Sequence, residues 1–332
     1  MYRIRRARKS DNQALIELEQ QSLLDLGQKL VCIEHGPDFF NQSRLQAHPH
    51  FLVAEEKGRL VAVIAGAWYD TLVRGKPHRL LYVHRERVHT GHQRKGLGRA
   101  LALELFRRLK RWNVQTPYWY ISPDNERSIA FGGMSPALAT AVRLHLQTGL
   151  RPEKPQKTRL VPRDEIKTLV GLFNSTQAGK ELFKPYTAAS LNKRLSRLPD
   201  YGWRNIYGLF DSSELTAAVG IWDQGKSVRV TTTDKASGHK AVVRRLAVAD
   251  YGFLPGREGD LAVLLREASV RARKMNRLEV VVSIPAASRL PGLLADLQPR
   301  LDRLSLFIPG LSTEYTGNDV SGNDVWVDPI YL

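Results

Sequence analysis

Apolar and polar residues alternate from Tyr2 to Arg8, which predicts a charged first strand over residues 2–8. Ser10 follows as a candidate N-cap, with Asp11 in the first turn of a helix. Leu15, Leu18, Leu23 and Leu26 recur at roughly helical spacing along it. Two strands, 51–56 and 60–69, are joined by Lys57-Gly58-Arg59, a hairpin signal. Residues 79–89 read as a longer strand and 91–98 as a glycine-bearing loop. An amphipathic helix over 99–112 puts Leu101, Leu105 and Leu109 on one face. Arg107, Arg108, Lys110 and Arg111 lie near its C-terminal end, where cations suit the helix dipole. A strand over 117–122 and a helix over 136–147, stopped by Gly149, complete this part.

Residues 151–163 hold three prolines amid alternating charge and read as a linker. The pattern then restarts: a helical segment at 165–174, strands at 205–210, 215–222 and 242–249, a helix at 260–274, and a strand at 278–284. The halves echo each other. Gly66-Ala67-Trp68 matches Gly220-Ile221-Trp222. Val88 precedes Gly96 by eight residues, as Val248 precedes Gly256. Leu101-Ala102 matches Leu261-Ala262, and Ser122-Pro123 matches Ser283-Ile284-Pro285. Four matches in one order predict a duplicated α/β unit, with domains at 1–155 and 164–332.

Length agrees, since 332 residues exceed one small core. The single cysteine, Cys32, placed between helix and strand, excludes an intramolecular disulfide and a cysteine-based zinc site. The histidines at 78, 84, 89 and 92 follow no common zinc spacing, so no metal is expected. No apolar run approaches the ~20 residues of a membrane span, and the basic N-terminus lacks a signal-peptide core. A cytoplasmic protein is the expectation. The net charge of +17 is uneven: residues 1–160 carry 27 Lys+Arg against 14 Asp+Glu, and the remainder 23 against 19. The first half is therefore expected to meet an anion, either nucleic acid or a phosphorylated coenzyme.

The chemistry concentrates at Gln93-Arg94-Lys95-Gly96-Leu97-Gly98, between strand and helix. A helix start presents unpaired N–H groups and partial positive charge, and glycines let backbone approach a phosphate closely. The loop lacks the Gly-Lys-Ser/Thr of a Walker A motif, and the pattern lacks the third glycine and the acid of a dinucleotide fold. With its flanks, from Val88 to Ala100, it resembles motif A of the GNAT N-acetyltransferases. Asn125 and Ser128 resemble that family's segment opening the next helix.

The resemblance implies a tandem GNAT fold of α/β (α+β) class, each half a mixed, mostly antiparallel sheet flanked by helices. It implies acetyl-CoA as cosubstrate. Backbone contacts to the pantetheine arm would come from Val88, His89 and Thr90. Pyrophosphate contacts would come from Gln93, Arg94, Lys95, Gly96, Leu97, Gly98, Arg99 and Ala100, with Asn125 and Ser128 nearby. The tyrosine that many members use as general acid has no counterpart, since Gly132 stands there, so no acid is assigned. By period two, Tyr82, His84, Glu86 and Val88 share a face. His84 is the first candidate base and Glu86 the second, because a base tuned near neutrality best deprotonates an amine. Tyr82, like His84, occupies a place where arylalkylamine-type members carry a relay histidine. In the second half Glu258 replaces the second glycine, so coenzyme binding is expected in the first half only. The expected reaction is direct acetyl transfer to a primary amine of a small metabolite or peptide, at a pocket built from loops 27–50 and 70–78. The chain would act as monomer or homodimer. The alternative is a non-catalytic binding protein for nucleic acid or coenzyme; against it, no basic stripe is interleaved with aromatics along the sequence.

Overall fold

A computed structural model describes residues 2–41, 43, 46, 48–73, 75–131, 139–148, 158–197 and 200–308. The alternating N-terminus forms β1 (Arg3–Arg6). Arg5 pairs with Asp11 at 2.7 Å and with Glu55 at 2.8 Å. Asp11 rather than Ser10 is the N-cap of the following helix, but its carboxylate makes no capping bond to that helix; it closes the preceding turn by accepting the Arg8 N–H at 2.7 Å. The helix α1 (Asn12–Gln20) buries Leu15 and Leu18 but stops before the other two predicted leucines. Leu23 is exposed, and Leu26 ends β2 (Leu24–Leu26). Gly27, at φ +63°, turns the chain into β3 (Lys29–His35). Cys32 is thus a buried strand residue of β3, not a loop thiol.

The next strands are β4 (Pro49–Glu56), β5 (Arg59–Val73) and β6 (Lys76–Val88). Lys57 and Gly58, both at positive φ, make the predicted hairpin turn. The β5–β6 register runs out to Val73↔Lys76, so 70–73 and 76–78 are strand where a loop was expected. There follow α2 (Leu97–Leu109), β7 (Thr116–Ile121), α3 (Glu126–Phe131) and β8 (Ala139–Gln147). The expected helix at 136–147 is therefore a strand from Ala139 onward; 136–138 lie outside the described residues. Val142, Leu144 and Leu146 face a core while Arg143 and His145 alternate with them, and this period of two prevails over helix-favouring composition. Most of the expected linker also lies outside the described residues.

The remaining elements are β9 (Thr158–Leu160), α4 (Ile166–Gln177), α5 (Ala188–Leu195), β10 (Ile206–Asp211), β11 (Glu214–Trp222), β12 (Val228–Asp234), β13 (Lys240–Val243), β14 (Arg245–Phe253), α6 (Glu258–Lys274), β15 (Glu279–Ile284), α7 (Leu290–Leu293) and β16 (Arg300–Phe307).

Two compact units result, each drawing on both halves of the sequence. The described residues of the first lie within 2–139, 227–242 and 304–308; those of the second lie within 140–226 and 243–303. The first has strand order β1-β4-β5-β6-β7-β16, antiparallel except for β6 with β7. The second has order β9-β10-β11-β14-β15-β8, antiparallel except for β14 with β15. The topologies match strand for strand, and the last strand of each is exchanged: β16 completes the first unit and β8 the second. In the first unit β12 also pairs with β3 through seven residues, Val228↔His35 to Asp234↔Lys29.

Cores lie on both faces of the first sheet. Leu15, Leu18, Phe39, Phe51, Val53, Val63 and Ala65 pack on the α1 side. Leu101, Leu105 and Leu109 pack with Ala62, Ile64, Trp68 and Leu81 on the α2 side. The repeated glycines have a packing reason. A Cβ on Gly66 would lie 2.8 Å from Leu81 Cδ1 and 3.0 Å from Leu105 Cδ2, so glycine lets α2 settle onto β5. Gly220 faces the other side of its sheet from Val219 and Ile221, which pack with α6, and there a Cβ would meet the Tyr201 hydroxyl.

Candidate active site

In the first unit β6 and β7 are paired only over Leu80↔Thr116, Leu81↔Pro117 and Tyr82↔Tyr118. β6 continues to Val88, while Trp119, Tyr120 and Ile121 of β7 pair with β16 on the other edge. Beyond Tyr82 the parallel strands part and leave a wedge. The backbone edge of β6 inside it is the kind of surface to which an extended amide chain adds as a further strand.

A bulge lies within this stretch. Ala65 pairs with His84 but Val63 with Arg87, so β6 contains one extra residue, with Arg85 at φ +51°. The bulge breaks the alternation assumed from sequence. Tyr82 and His84 lie opposite Ala67 and Ala65, on the α1 face. Val88 lies opposite Ala62 and packs with Val83 in the α2 core. Thus His84 and Val88 do not share a face, and Glu86 is in step with Val88.

The wedge leads to the start of α2. Gly96 is the N-cap at φ +75°, and Ala100 N–H to Gly96 O, 3.0 Å, is the first helical bond. The N–H groups of Leu97, Gly98 and Arg99 therefore precede it without helical acceptors. Several predicted ligand residues also hold the loop itself. Gln93 Nε2 donates to Val88 O at 3.2 Å, Lys95 Nζ to Gly91 O at 3.0 Å, and His89 Nδ1 accepts from Gly91 N at 3.1 Å. Leu97 is buried as an anchor, while Thr90, Arg94, Gly96, Arg99 and Ala100 are exposed. Asn125 Oδ1 accepts the Ser128 N–H at 3.1 Å, so this pair caps α3.

On the α1 face Tyr82 and His84 stack, with centroids 4.9 Å apart. The Gln46 amide donates to His84 Nε2 at 3.1 Å, which puts the proton of a neutral ring on Nδ1. Desolvation, and then Arg85, His35 and Arg87, hold the His84 imidazolium well below pH 6.5. Burial, partly offset by Arg87, raises the Glu86 carboxyl. Sequence reasoning missed Tyr118 and Tyr120 on β7, whose rings lie 5.3 and 6.1 Å from Tyr82. It also missed Gln46 and the buried Arg85. The period-two spacing of Tyr118 and Tyr120 was visible, but the register bringing them beside Tyr82 was not.

The second unit has filled the same places. β14 and β15 stay paired only to Ala247↔Val281. Near the end of β14, Thr176 of α4 bonds both the N–H (2.8 Å) and the carbonyl (3.1 Å) of Phe253. Asp250 is engaged by Arg194 (2.9 Å), Tyr186 (2.8 Å) and Tyr201. At the start of α6, Glu258 accepts from Ser288 Oγ at 2.7 Å and Arg289 N at 3.1 Å. An internal carboxylate thus stands where the first unit has glycine. Among the described residues no group of three or more His, Cys, Asp or Glu could hold a metal ion, and no helix is long and apolar enough to cross a membrane.

Two parallel strands parting beside a glycine-led helix start, on a mostly antiparallel sheet, define an acyltransferase frame of the GNAT type, here built twice. Residues 13–132 match the acetyltransferase (GNAT) family. That family transfers an acyl group from a coenzyme A thioester to an acceptor. Over 92% of its length the chain is similar to Saccharomyces cerevisiae N-myristoyltransferase solved with bound myristoyl-CoA, at TM-score 0.66 and 15% identity, covering 78% of that chain. A second structure of that enzyme with myristoyl-CoA gives the same TM-score and identity over 82% of its chain. At such identity the likeness shows the duplicated fold. No curated protein matches by sequence.

Proposed function

We propose that the chain is an N-acyltransferase that moves an acetyl group from acetyl-CoA directly to a primary amine of a small metabolite or peptide, using the first unit alone for the coenzyme. The observation that carries this reading is the open wedge beyond Tyr82, continuous with the helix start at Gly96 and Gly98, set against its filled counterpart in the second unit. In sequence terms the coenzyme half is 1–155 and the half without it 164–332.

The pantetheine arm lies along β6 toward Val88, His89 and Thr90. The pyrophosphate meets the N–H groups of Leu97, Gly98 and Arg99, while the Ala100 N–H closes the first helical bond behind them; Arg94 and Arg99 add charge, and Gln93 and Lys95 keep the loop in shape. The amine nitrogen forms the C–N bond and the C–S bond breaks. The amine's proton passes to Nε2 of His84, where the acceptor displaces the Gln46 amide; Tyr82 stacks behind the ring. Tyr120, past the last β6–β7 pair, is placed to protonate the departing thiolate. Glu86 is the competing base.

The test is free-thiol release from acetyl-CoA and longer acyl-CoA thioesters over a panel of amines. Release with at least one amine is expected, fastest with acetyl-CoA. Coenzyme binding without release from any pair would favour a non-catalytic coenzyme-binding protein.

A further inference from the structure

Aromatic rings and cations that are scattered in sequence meet on the α2 side of the first unit, at the far end of that helix from the glycine loop. The His48 ring lies on Trp68 with centroids 3.7 Å apart and planes 2° from parallel. Trp112 follows at 6.3 Å from Trp68 and 25°. The Arg79 guanidinium sits 4.6 Å over the Trp68 ring and donates to the Trp112 carbonyl at 2.9 Å, while Asp70 takes up its charge at 2.7 Å. Arg111 lies 5.3 Å over Trp112. Arg6, His48 and Arg111 all press on His50, which burial and these neighbours hold down to about 4. Among the described residues no ion pair engages Arg6 or Arg111. Trp112 is 43% exposed, a large indole left in water at the centre of a positive surface. Burial of a side chain in the core does not explain it, and phosphate binding at Gly96 does not use it: the 13 residues of α2 put about 20 Å between them.

We propose that this face binds single-stranded nucleic acid, with bases stacking on Trp112 and His48 and phosphates meeting Arg6 and Arg111. Every base has a ring face, so such a surface is sequence-tolerant. The alternation of ring and cation matches the alternation of base and phosphate. An acidic protein would use the cations but has no need of the exposed indole.

The test is fluorescence anisotropy of short labelled poly-U and poly-dT strands on the full chain. Binding is expected at low salt, weakening steeply as salt rises. Trp112→Ala should weaken it about tenfold while its melting curve stays unchanged, and Trp112→Phe should restore most of the loss. The double variant Arg6→Gln/Arg111→Gln should flatten the log–log salt slope by about 1.4, the share of two phosphates on a single strand. Saturating coenzyme A should not compete. Three results would overturn the proposal: no binding at low salt; heparin, which has no bases, binding as tightly and Trp112→Ala binding unchanged, as for an acidic-protein surface; or displacement of the strand by coenzyme A, which would move it to the glycine loop.

Discussion

Replacing Gly98 by glutamate copies into the first unit what the second already has at Glu258. Gly98 is buried in the first turn of α2, whose leading N–H groups have no helical acceptor. A carboxylate about 5 Å from a phosphate charge, at an effective dielectric near 20, is repelled by about 3 kcal/mol. For each phosphate charge that is about a hundredfold in Kd, less whatever salt screens. The same substitution favours the helix itself. Glycine costs roughly 0.8–1 kcal/mol more than alanine in a helix, and an acid in the first turn gains about 0.3–1 kcal/mol from the dipole. Crowding at the buried position opposes this gain, so Gly98→Ala, which adds a methyl group and no charge, is the companion variant. Calorimetric titration with coenzyme A and a thermal melt are run on both. The expected outcome is a folded Gly98→Glu protein that has lost coenzyme affinity by at least a hundredfold, with Gly98→Ala losing much less. A folded Gly98→Glu protein with unchanged affinity would refute the phosphate assignment.

His84→Ala should lower kcat by ~10²–10⁴-fold, the usual share of a positioned base, with coenzyme affinity unchanged by calorimetry. Because the His84 pKa is depressed, the ring is already neutral at pH 6.5 and loses its basicity only well below that; a limb of kcat/KM near pH 6.5 or above that disappears in His84→Ala would contradict this. Glu86→Gln decides between the two bases: if it alone abolishes the limb reporting deprotonation, Glu86 holds the role. Tyr120→Phe should reduce kcat by ~10²-fold or more if the phenol protonates the thiolate, and a full-rate variant removes it from the mechanism. In the second unit Asp250→Asn should cost roughly 3–5 kcal/mol by denaturant titration, since it leaves the buried Arg194 without its carboxylate, while coenzyme affinity stays as it was.

Much of this was legible along the chain because it rests on local rules. The hairpin at Lys57 and Gly58 needs only a permissive turn between alternating runs. The strand, glycine loop and helix around Gly96 follow from where positive φ and an uncapped helix start fall. The duplication was readable from four matches in one order, although the matched glycines are not register equivalents: Gly66 lies opposite Val83 on the α2 face, while Gly220 lies opposite Asp250 and faces away from the α6 core. What only the tertiary structure decided depends on pairings across long stretches of sequence. Residues 139–147 are a strand because β15 is there to pair with them, and β3 is a strand because β12, about two hundred residues on, supplies its edge. The bulge at Arg85 belongs to the β5–β6 register, and it alone separates His84 from Val88. The aromatic and basic surface has the same origin: Arg6, His48, Trp68, Arg79 and Trp112 come from five separate segments, so no stripe could show until the sheet and α2 brought them together.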